Sequence, residues 1–146
     1  MLCPYCNNTE TKVIDKRDSE GLTRRRRECL KCGERFTTYE RVELELNVIK
    51  KDGRKEEFSR PKLKAGIEKA FQKRPFDSEQ IEELINQIEA KILRTAKDKQ
   101  ITSQTIGEII MDKLKKTDKV AYIRFASVYR EFADIDDFKN AVKQVE

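Results

Sequence analysis

The chain has 146 residues, of which 40% are charged and 37% hydrophobic, with a formal net charge of +5 and no histidine. This length allows one or two small domains, and the lean apolar content predicts a core that is small or shared with partner subunits. The absence of histidine removes the commonest general base and leaves sulfur or carboxylate to hold any zinc ion. The net charge alone only hints at an anionic partner.

The N-terminal segment MLCPYCNNTE has no basic stretch followed by an apolar one, and no apolar run in the chain approaches membrane-spanning length. We therefore expect a cytoplasmic protein without a membrane partner. In that reducing compartment, four cysteines favour a metal site over disulfides.

Up to about Glu43 the sequence is rich in turn residues, with short strand-like runs at residues 11–14 and 35–39. Two Cys-x-x-Cys pairs lie in this part, and Gly33 completes the turn of the second. Four thiolates suit tetrahedral Zn²⁺, and zinc binding can supply the folding energy that so small a module lacks. We predict one structural zinc per chain in a zinc ribbon; an iron–sulfur site, a redox dithiol or unrelated buried cysteines are the alternatives. The predicted ligands are Cys3, Cys6, Cys29 and Cys32.

From Leu44 onwards the pattern changes. Leu44, Leu46 and Val48 alternate along a strand that runs into Asp52-Gly53, a two-residue hairpin signal, and the return strand covers roughly residues 54–58. Helices are predicted after Ser59, after Asp77 with Gln80 as a capping box, near Thr102-Ser103 and after Asp118. The fourth helix carries Ala121, Phe125, Val128 and Phe132, and a short last helix runs through Phe138, Val142 and Val145.

These elements predict an α+β protein. The expected domains are a zinc-ribbon β module at residues 1–44, a mostly helical domain opened by a β-hairpin at 45–135, and a C-terminal helix at 136–146.

Residues 24–27 are four consecutive arginines on the strand that leads to the second cysteine pair. Side chains on a strand alternate, so Arg24 and Arg26 share one face and Arg25 and Arg27 the other. One pair can balance the thiolates or Glu28 while the other projects outward. We predict nucleic-acid contact, and a solvated basic strand is the alternative. The candidate residues are Lys16, Arg17, Arg24, Arg25, Arg26, Arg27, Arg35 and Thr37.

A second basic cluster, Lys50, Lys51, Arg54 and Lys55, crowds the Asp-Gly turn. Like charges across a hairpin destabilise it unless an anion lies against them. A triphosphate suits this place, because Lys62 and the free N–H groups of the next helix add positive potential. A solvated basic hairpin is the alternative. The chain has neither a P-loop nor a Rossmann motif.

The segments CPYC, TRRRREC and CGERFTTYER closely resemble the N-terminal zinc ribbon of the NrdR family of bacterial transcriptional repressors. VIKKDGRKEEFSRPKL, residues 48–63, resembles the opening of an ATP-cone domain, and residues 119–138 resemble that family's C-terminal block. The resemblance implies nucleotide-controlled repression of ribonucleotide reductase genes. It implies a ribbon that binds an operator in double-stranded promoter DNA on the bacterial nucleoid. It also implies a cone that senses ATP and dATP through changes in homo-oligomeric assembly.

The resemblance also implies a nucleotide site. Its residues would be Val48, Lys50, Lys51, Glu56, Lys62, Tyr122 and Tyr129. For the two tyrosines, packing in a core or an interface is the alternative. Lys51 stands where the family often has arginine, which keeps the charge and loses the bidentate fork.

Two further functions remain open at this stage. ATP-cones also occur as regulatory domains of ribonucleotide reductase, so the protein can instead be a nucleotide sensor that acts on that enzyme directly. An RNA-binding zinc ribbon is the other alternative. An enzyme is not expected, because the sequence has no visible nucleophile–base pair, open metal site or Mg²⁺-carboxylate pattern.

Overall fold

The computed structural model describes residues 1–43 and 45–146, so the part of the predicted strand at Leu44 lies outside the described residues. The chain separates into two compact units, Met1–Glu43 and Leu44–Glu146. Strands form the first unit, and a small sheet with helices forms the second, which confirms the predicted α+β class. None of the described helices is long and apolar enough to cross a membrane.

The first unit is a three-stranded antiparallel sheet in which the arginine strand is central. Its strands are β1 (Thr11–Ser19), β2 (Leu22–Cys29) and β3 (Arg35–Arg41), in the order β1-β2-β3. Gly21 closes the tight turn between β1 and β2 at a φ of 75°, a conformation that glycine adopts without strain. The register between β1 and β2 shifts between Val13 and Asp15, where Ile14 forms a bulge. Both predicted strand-like runs are therefore correct but shorter than the strands observed.

The second unit opens with a small mixed sheet. β4 (Asn47–Ile49) pairs antiparallel with β5 (Lys55–Glu57) and parallel with β6 (Gln100–Thr102). The predicted hairpin forms around Gly53, whose φ is 85°. Residues 50–54 separate its two strands, so the prediction of a two-residue connection was wrong. β6 was not anticipated, because a three-residue strand directly before a helix carries no alternation to detect.

The described part of the second unit contains five helices, each begun by a side-chain cap. They are α1 (Arg60–Ala70), α2 (Ser78–Thr95), α3 (Ser103–Thr117), α4 (Lys119–Tyr129) and α5 (Ile135–Lys143). Ser59, Asp77, Thr102, Asp118 and Asp134 accept the capping hydrogen bonds, and Asp77 and Gln80 form the predicted capping box. Helix α4 ends at Tyr129 and Glu131 then has a φ of 51°, so Phe132 lies beyond the helix and not on its stripe as predicted.

The helical stripes meet in one apolar core. Its fully buried side chains include Ile67, Ile85, Ile88, Ile92 and Leu114. Burying one such side chain contributes roughly 1.5–3 kcal/mol, so this core can hold the second unit without a metal. At its edge Arg60 donates to Glu82, Asn86 and Glu89, which fastens the start of α1 to α2.

Gly107 of α3 lies against the aromatic ring of Tyr129 from α4. A Cβ on Gly107 would lie 2.1 Å from the ring of Tyr129, so only glycine allows the ring to rest on the helix backbone. The hydroxyl of Tyr129 then donates to the carbonyl oxygen of Gln104 at 2.8 Å. A glycine inside a helix costs about 1 kcal/mol relative to alanine, and here that cost is offset by the ring contact.

Gly107→Ala should therefore lower the stability of the helical unit by about 1 kcal/mol or more. The added methyl group displaces the ring of Tyr129, and the cost of this overpacking outweighs the gain in helix propensity. Gly66→Ala is the matched control, since its added Cβ meets only Phe125 at 3.9 Å. That variant should be as stable as the parent or more stable by up to about 1 kcal/mol. Thermal unfolding followed by circular dichroism measures both. A stabilised Gly107→Ala protein would contradict the close approach.

Candidate functional site

The four cysteine sulfurs converge at the base of the first unit. All four Sγ atoms lie within 4.8 Å of one another, with 3.7 Å between those of Cys3 and Cys32 and 3.6 Å between those of Cys6 and Cys29. A zinc ion with Zn–S bonds of about 2.3 Å sets tetrahedral S–S edges of about 3.8 Å. The spacing of the sulfurs therefore suits a tetrahedral Zn²⁺.

Each cysteine pair lies on a turn of the same design. The residue after the first pair is Asn7, at a φ of 59°, and the residue after the second is Gly33, at a φ of 74°. Their N–H groups donate to the carbonyl oxygens of Cys3 at 2.9 Å and Cys29 at 3.0 Å. Sequence reasoning noticed the glycine and missed Asn7, although asparagine is among the few other residues that tolerate this conformation.

The surroundings of the thiols differ. The backbone N–H groups of Cys32 and Lys31, together with the neighbouring thiols, lower the pKa of Cys29 to about 6 against the opposing effect of burial. The N–H of Glu34 favours the Cys32 thiolate, yet desolvation and the hydrogen bonds of the other three thiols raise the pKa of Cys32 to about 12. The pKa values of neighbouring thiols separate in this way because ionisation of one thiol opposes ionisation of the next. A divalent cation removes that opposition.

One face of the first sheet, which we call the Arg24 face, concentrates positive charge. Residues directly opposite one another on neighbouring strands share a face, and Arg24 lies opposite Arg17 and Tyr39 while Arg26 lies opposite Asp15 and Thr37. Arg26 donates to the Thr37 hydroxyl at 2.9 Å. The cations on this face are Lys12, Arg17, Arg24, Arg26, Arg35 and Arg41, and the carboxylates are Asp15 and Glu28.

The opposite side of the sheet, the Arg25 face, is closer to neutral. Arg25 pairs with Glu40 at 2.6 Å, and Lys16 pairs with Asp18 at 2.9 Å. Arg27 donates to the hydroxyls of Thr38 and Thr11. The cations on this face are Lys16, Arg25 and Arg27, and the carboxylates are Asp18 and Glu40.

The candidate nucleic-acid residues therefore divide between two surfaces. Those on the Arg24 face are Arg17, Arg24, Arg26, Arg35 and Thr37, and those on the Arg25 face are Lys16, Arg25 and Arg27. The two carboxylates of the Arg24 face each serve two cations: Glu28 binds Lys12 and Arg35. Asp15 lies 3.3 Å from Arg17 and 4.0 Å from Arg24. Positive charge remains in excess there.

In the second unit, the 50–54 turn overhangs a cavity of about 440 Å³, which we call the hairpin cavity. Its walls come from the turn and from α3 and α4. They are lined by Lys50, Lys51, Asp52, Arg54, Ser103, Ile106, Gly107, Ile110, Phe125, Tyr129 and Glu131. Basic residues thus face an apolar, aromatic wall.

The carboxylate of Glu56 lies between a lysine of the hairpin turn and a lysine of α1. Oε2 of Glu56 lies 3.6 Å from Nζ of Lys50 and 3.7 Å from Nζ of Lys62. Arg54 is held differently, because it pairs with Asp52 at 2.6 Å. The backbone N–H and the guanidinium of Arg54 lower the pKa of Asp52 below its usual value. Two of the hairpin's positive groups, those of Lys50 and Arg54, thus each lie beside a carboxylate.

The remaining candidate nucleotide residues lie in three different settings. Val48 is buried in β4 directly opposite Glu56. Tyr129 forms part of the wall of the hairpin cavity, and burial raises its pKa. Tyr122 is buried in the core, where its hydroxyl donates to Gln144 at 3.0 Å.

Sequence reasoning missed the contribution of α3 to this cavity. Ser103, Ile106 and Gly107 reach the hairpin from about fifty positions further along the chain, which no local pattern announces. One signal was available: Gly107 interrupts an otherwise good helical stripe, and an isolated glycine inside a helix usually has a packing reason.

Comparison with known proteins agrees with both units. A family model described as "Transcriptional repressor NrdR-like, N-terminal domain" matches residues 1–40, and one described as "ATP cone domain" matches residues 46–135. The ribbon match and the sulfur cluster together support a structural zinc.

Relatives named "Transcriptional repressor NrdR", a regulatory and non-enzymatic role, are similar over nearly the whole chain. The relative from Kosmotoga olearia is 51% identical over an alignment of 148 residues, which covers 99% of this chain and 93% of the relative. The relative from Caldicellulosiruptor saccharolyticus is 54% identical over 141 residues, or 94% and 92% of the two chains. The relative from Desulfitobacterium hafniense strain DCB-2 is 56% identical over 141 residues, or 94% and 91%. With both modules matched in order and more than half of the residues identical, this chain belongs to the NrdR family of transcriptional repressors.

Proposed function

We propose that this protein is a zinc-dependent repressor of bacterial ribonucleotide reductase genes, in which ATP and dATP control subunit assembly and thereby operator binding. The observation that carries the proposal is the pairing of a one-sided cationic sheet, built on four converging sulfurs, with a cation-lined cavity in the second unit. Acting on promoter DNA, the protein works in the cytoplasm on the nucleoid.

One zinc ion per chain, bound by the four cysteines, organises the ribbon. Four thiolates fill the tetrahedral coordination sphere, so the metal has no open position for a substrate or an activated water. Its role is structural: it fixes the two cysteine turns and, through them, the start of β1, the end of the arginine strand β2 at Cys29 and the start of β3.

The Arg24 face is the DNA-binding surface. Arginine, threonine and tyrosine side chains are common phosphate ligands, and this face presents Arg24, Arg26, Thr37 and Tyr39 side by side on neighbouring strands. A single small sheet makes few phosphate contacts and binds weakly. Tight operator binding then requires two or more ribbons at a spacing matched to the helical repeat of DNA.

The hairpin cavity is the nucleotide site. Exposed ion pairs such as those of Glu56 with Lys50 and Lys62 contribute little stability, so a triphosphate can take over both lysines. Lys51 adds a further positive charge, and the positive end of the α1 dipole lies close by, because Lys62 belongs to the first turn of that helix. Tyr129 and Phe125 supply aromatic surface for the base. We assign Val48 to the base or sugar, Glu56 to a polar contact and Tyr122 to packing.

Nucleotide changes the affinity for DNA by changing how the subunits assemble. The ligand sits in one unit and the cationic face in the other, so direct contact of nucleotide with DNA is not required. ATP and dATP must then differ in their binding free energies for the alternative assemblies, because a ligand with equal affinity for both shifts nothing.

The first prediction concerns the two faces of the sheet. Arg24→Ala and Arg26→Ala should each weaken operator binding and reduce the steepness of its salt dependence by about 1 in log–log slope, because each lost phosphate contact releases fewer counterions. Arg25→Ala and Arg27→Ala are the matched controls on the same strand and should change the slope little. Fluorescence anisotropy over a salt series measures the slopes. Equal losses from all four variants with the ribbon folded would refute the assignment.

The second prediction concerns the cavity. Lys50→Ala and Lys62→Ala should weaken ATP and dATP binding about ten-fold or more, because each removes a charge-assisted phosphate contact. Lys69→Ala, in the last turn of the helix whose first turn carries Lys62, should bind as the parent does. Isothermal titration calorimetry provides the affinities. Unchanged binding by both the Lys50 and the Lys62 variants would place the nucleotide site elsewhere.

The function itself is tested by measuring promoter binding and molecular mass together for the nucleotide-free, ATP-loaded and dATP-loaded protein. Binding that follows nucleotide and mass supports the proposal, and a mass that never changes contradicts it. Competition with RNA distinguishes the RNA-binding alternative. A pull-down with ribonucleotide reductase, with and without promoter DNA, distinguishes direct action on the enzyme.

A further inference from the structure

The last helix exposes a strip of large apolar side chains. Ile135, Phe138 and Val142 follow one another on α5 and are 73%, 46% and 38% exposed. A different face of the same helix is fixed to its own unit, because Ala141 is buried there, and Val145, just beyond the end of the helix, is buried too. Three large apolar residues on one outer face of a nine-residue helix make a patch, which usually marks an interaction surface.

The edge of this strip carries an ordered sequence of charges. Asp136, Lys139 and Lys143 lie on the same edge, at helical spacings of three and four residues. Within residues 1–43 and 45–146, no ion pair engages these three side chains. Asp137 is already occupied, because its carboxylate accepts from the N–H of Ala133 at 2.8 Å. The edge is therefore acidic where the helix begins and basic towards its end.

This order is self-complementary in one orientation only. When two copies of α5 lie antiparallel with their apolar strips together, Asp136 of each copy comes beside Lys139 and Lys143 of the other. A parallel arrangement would place the two charged edges on opposite sides of the interface, where they do not meet. Antiparallel helices also set their dipoles head to tail, which is favourable.

We propose that α5 is a self-complementary docking surface, which pairs antiparallel with α5 of a second copy of this chain about a two-fold axis near Phe138. The apolar strip supplies the buried contact and the charged edge sets the orientation. Such an isologous contact uses the same patch on both subunits and closes after two copies. The cavity of about 770 Å³ beside the strip, lined by Phe132, Ile135, Phe138 and Val142 among others, gives room for the partner's side chains.

The contact is small. A nine-residue helix is about 14 Å long, and stable interfaces bury about 800 Å² on each partner, more than one helical strip provides. Pairing through α5 is therefore weak alone and effective when other contacts hold the subunits together. Pairing through α5 would be one of the contacts by which assembly is controlled, and its biological role rests on that proposed function. Because the contact is weak, nucleotide binding can shift its equilibrium between the paired and unpaired states.

The test uses two charge variants of the full, zinc-loaded chain, without nucleotide or DNA. Asp136→Lys makes the edge wholly basic, and Lys139→Glu with Lys143→Glu makes it wholly acidic. Each variant alone should self-associate roughly ten-fold more weakly than the parent in sedimentation equilibrium, because like charges then face one another across the dyad. An equimolar mixture should recover association, since every edge position again meets an opposite charge.

Two controls make the result decisive. Lys115→Glu with Lys116→Glu makes the same charge change on exposed positions of α3 and should associate as the parent does. Ile135→Ser, which weakens the strip and leaves the edge intact, should reduce association that no mixing restores. A mixture no better than its components, or variants that associate like the parent, would overturn the pairing and leave the strip to another partner. Nucleotide and DNA binding by the same variants are measured separately, so failure of the pairing and failure of the proposed function are distinguishable.

Discussion

The convergence of four thiols is the constraint on which the first unit depends. Among residues 1–43, all of which the structure describes, only Cys3 and Cys29 are buried, and both belong to the sulfur cluster. The sheet thus has no apolar core to offset the entropy of ordering its strands. A bound metal is the interaction available to supply that free energy. The Arg24 face inherits its geometry from the same source, because β2 ends at Cys29 inside the cluster.

The second unit is stabilised in a different way, and this difference has a functional consequence. Its helices bury a continuous apolar core, and its polar sites lie at the rim of that core, in the turn that overhangs α3 and α4. In the function proposed above, zinc and nucleotide are therefore separate inputs: zinc holds the sheet that carries the Arg24 face, and nucleotide acts on a unit that folds without zinc. What can join them is the arrangement of subunits. Val128, at 79% exposure, and the outer strip of α5 leave apolar surface for such contacts, whereas Tyr122 belongs to the interior.

Much of this organisation can be predicted from the sequence, because it depends on interactions between residues close together in the chain. The cysteine spacing, the caps at Ser59, Asp77 and Asp118 and the Asp-Gly turn each act within a few residues. The features that were not predicted depend on contacts between residues far apart in the chain. β6 exists because β4 pairs with it from about fifty residues away, and the cavity wall of α3 follows from that pairing. The composition of the two sheet faces depends on the bulge at Ile14, which sets Asp15 opposite Arg26. Strand alternation predicted that the arginines divide in pairs, but only the register assigns their neighbours.

The most direct test of the central claim is amide hydrogen exchange on the intact protein before and after removal of zinc by a chelator under reducing conditions. If the metal replaces a core, the amides of β1, β2 and β3 should lose their protection when zinc leaves, while those of α2 and α3 keep theirs, because the helical core is independent of the cluster. Readdition of one equivalent of zinc should restore the strands. Strand amides that stay protected in the metal-free protein would contradict the account.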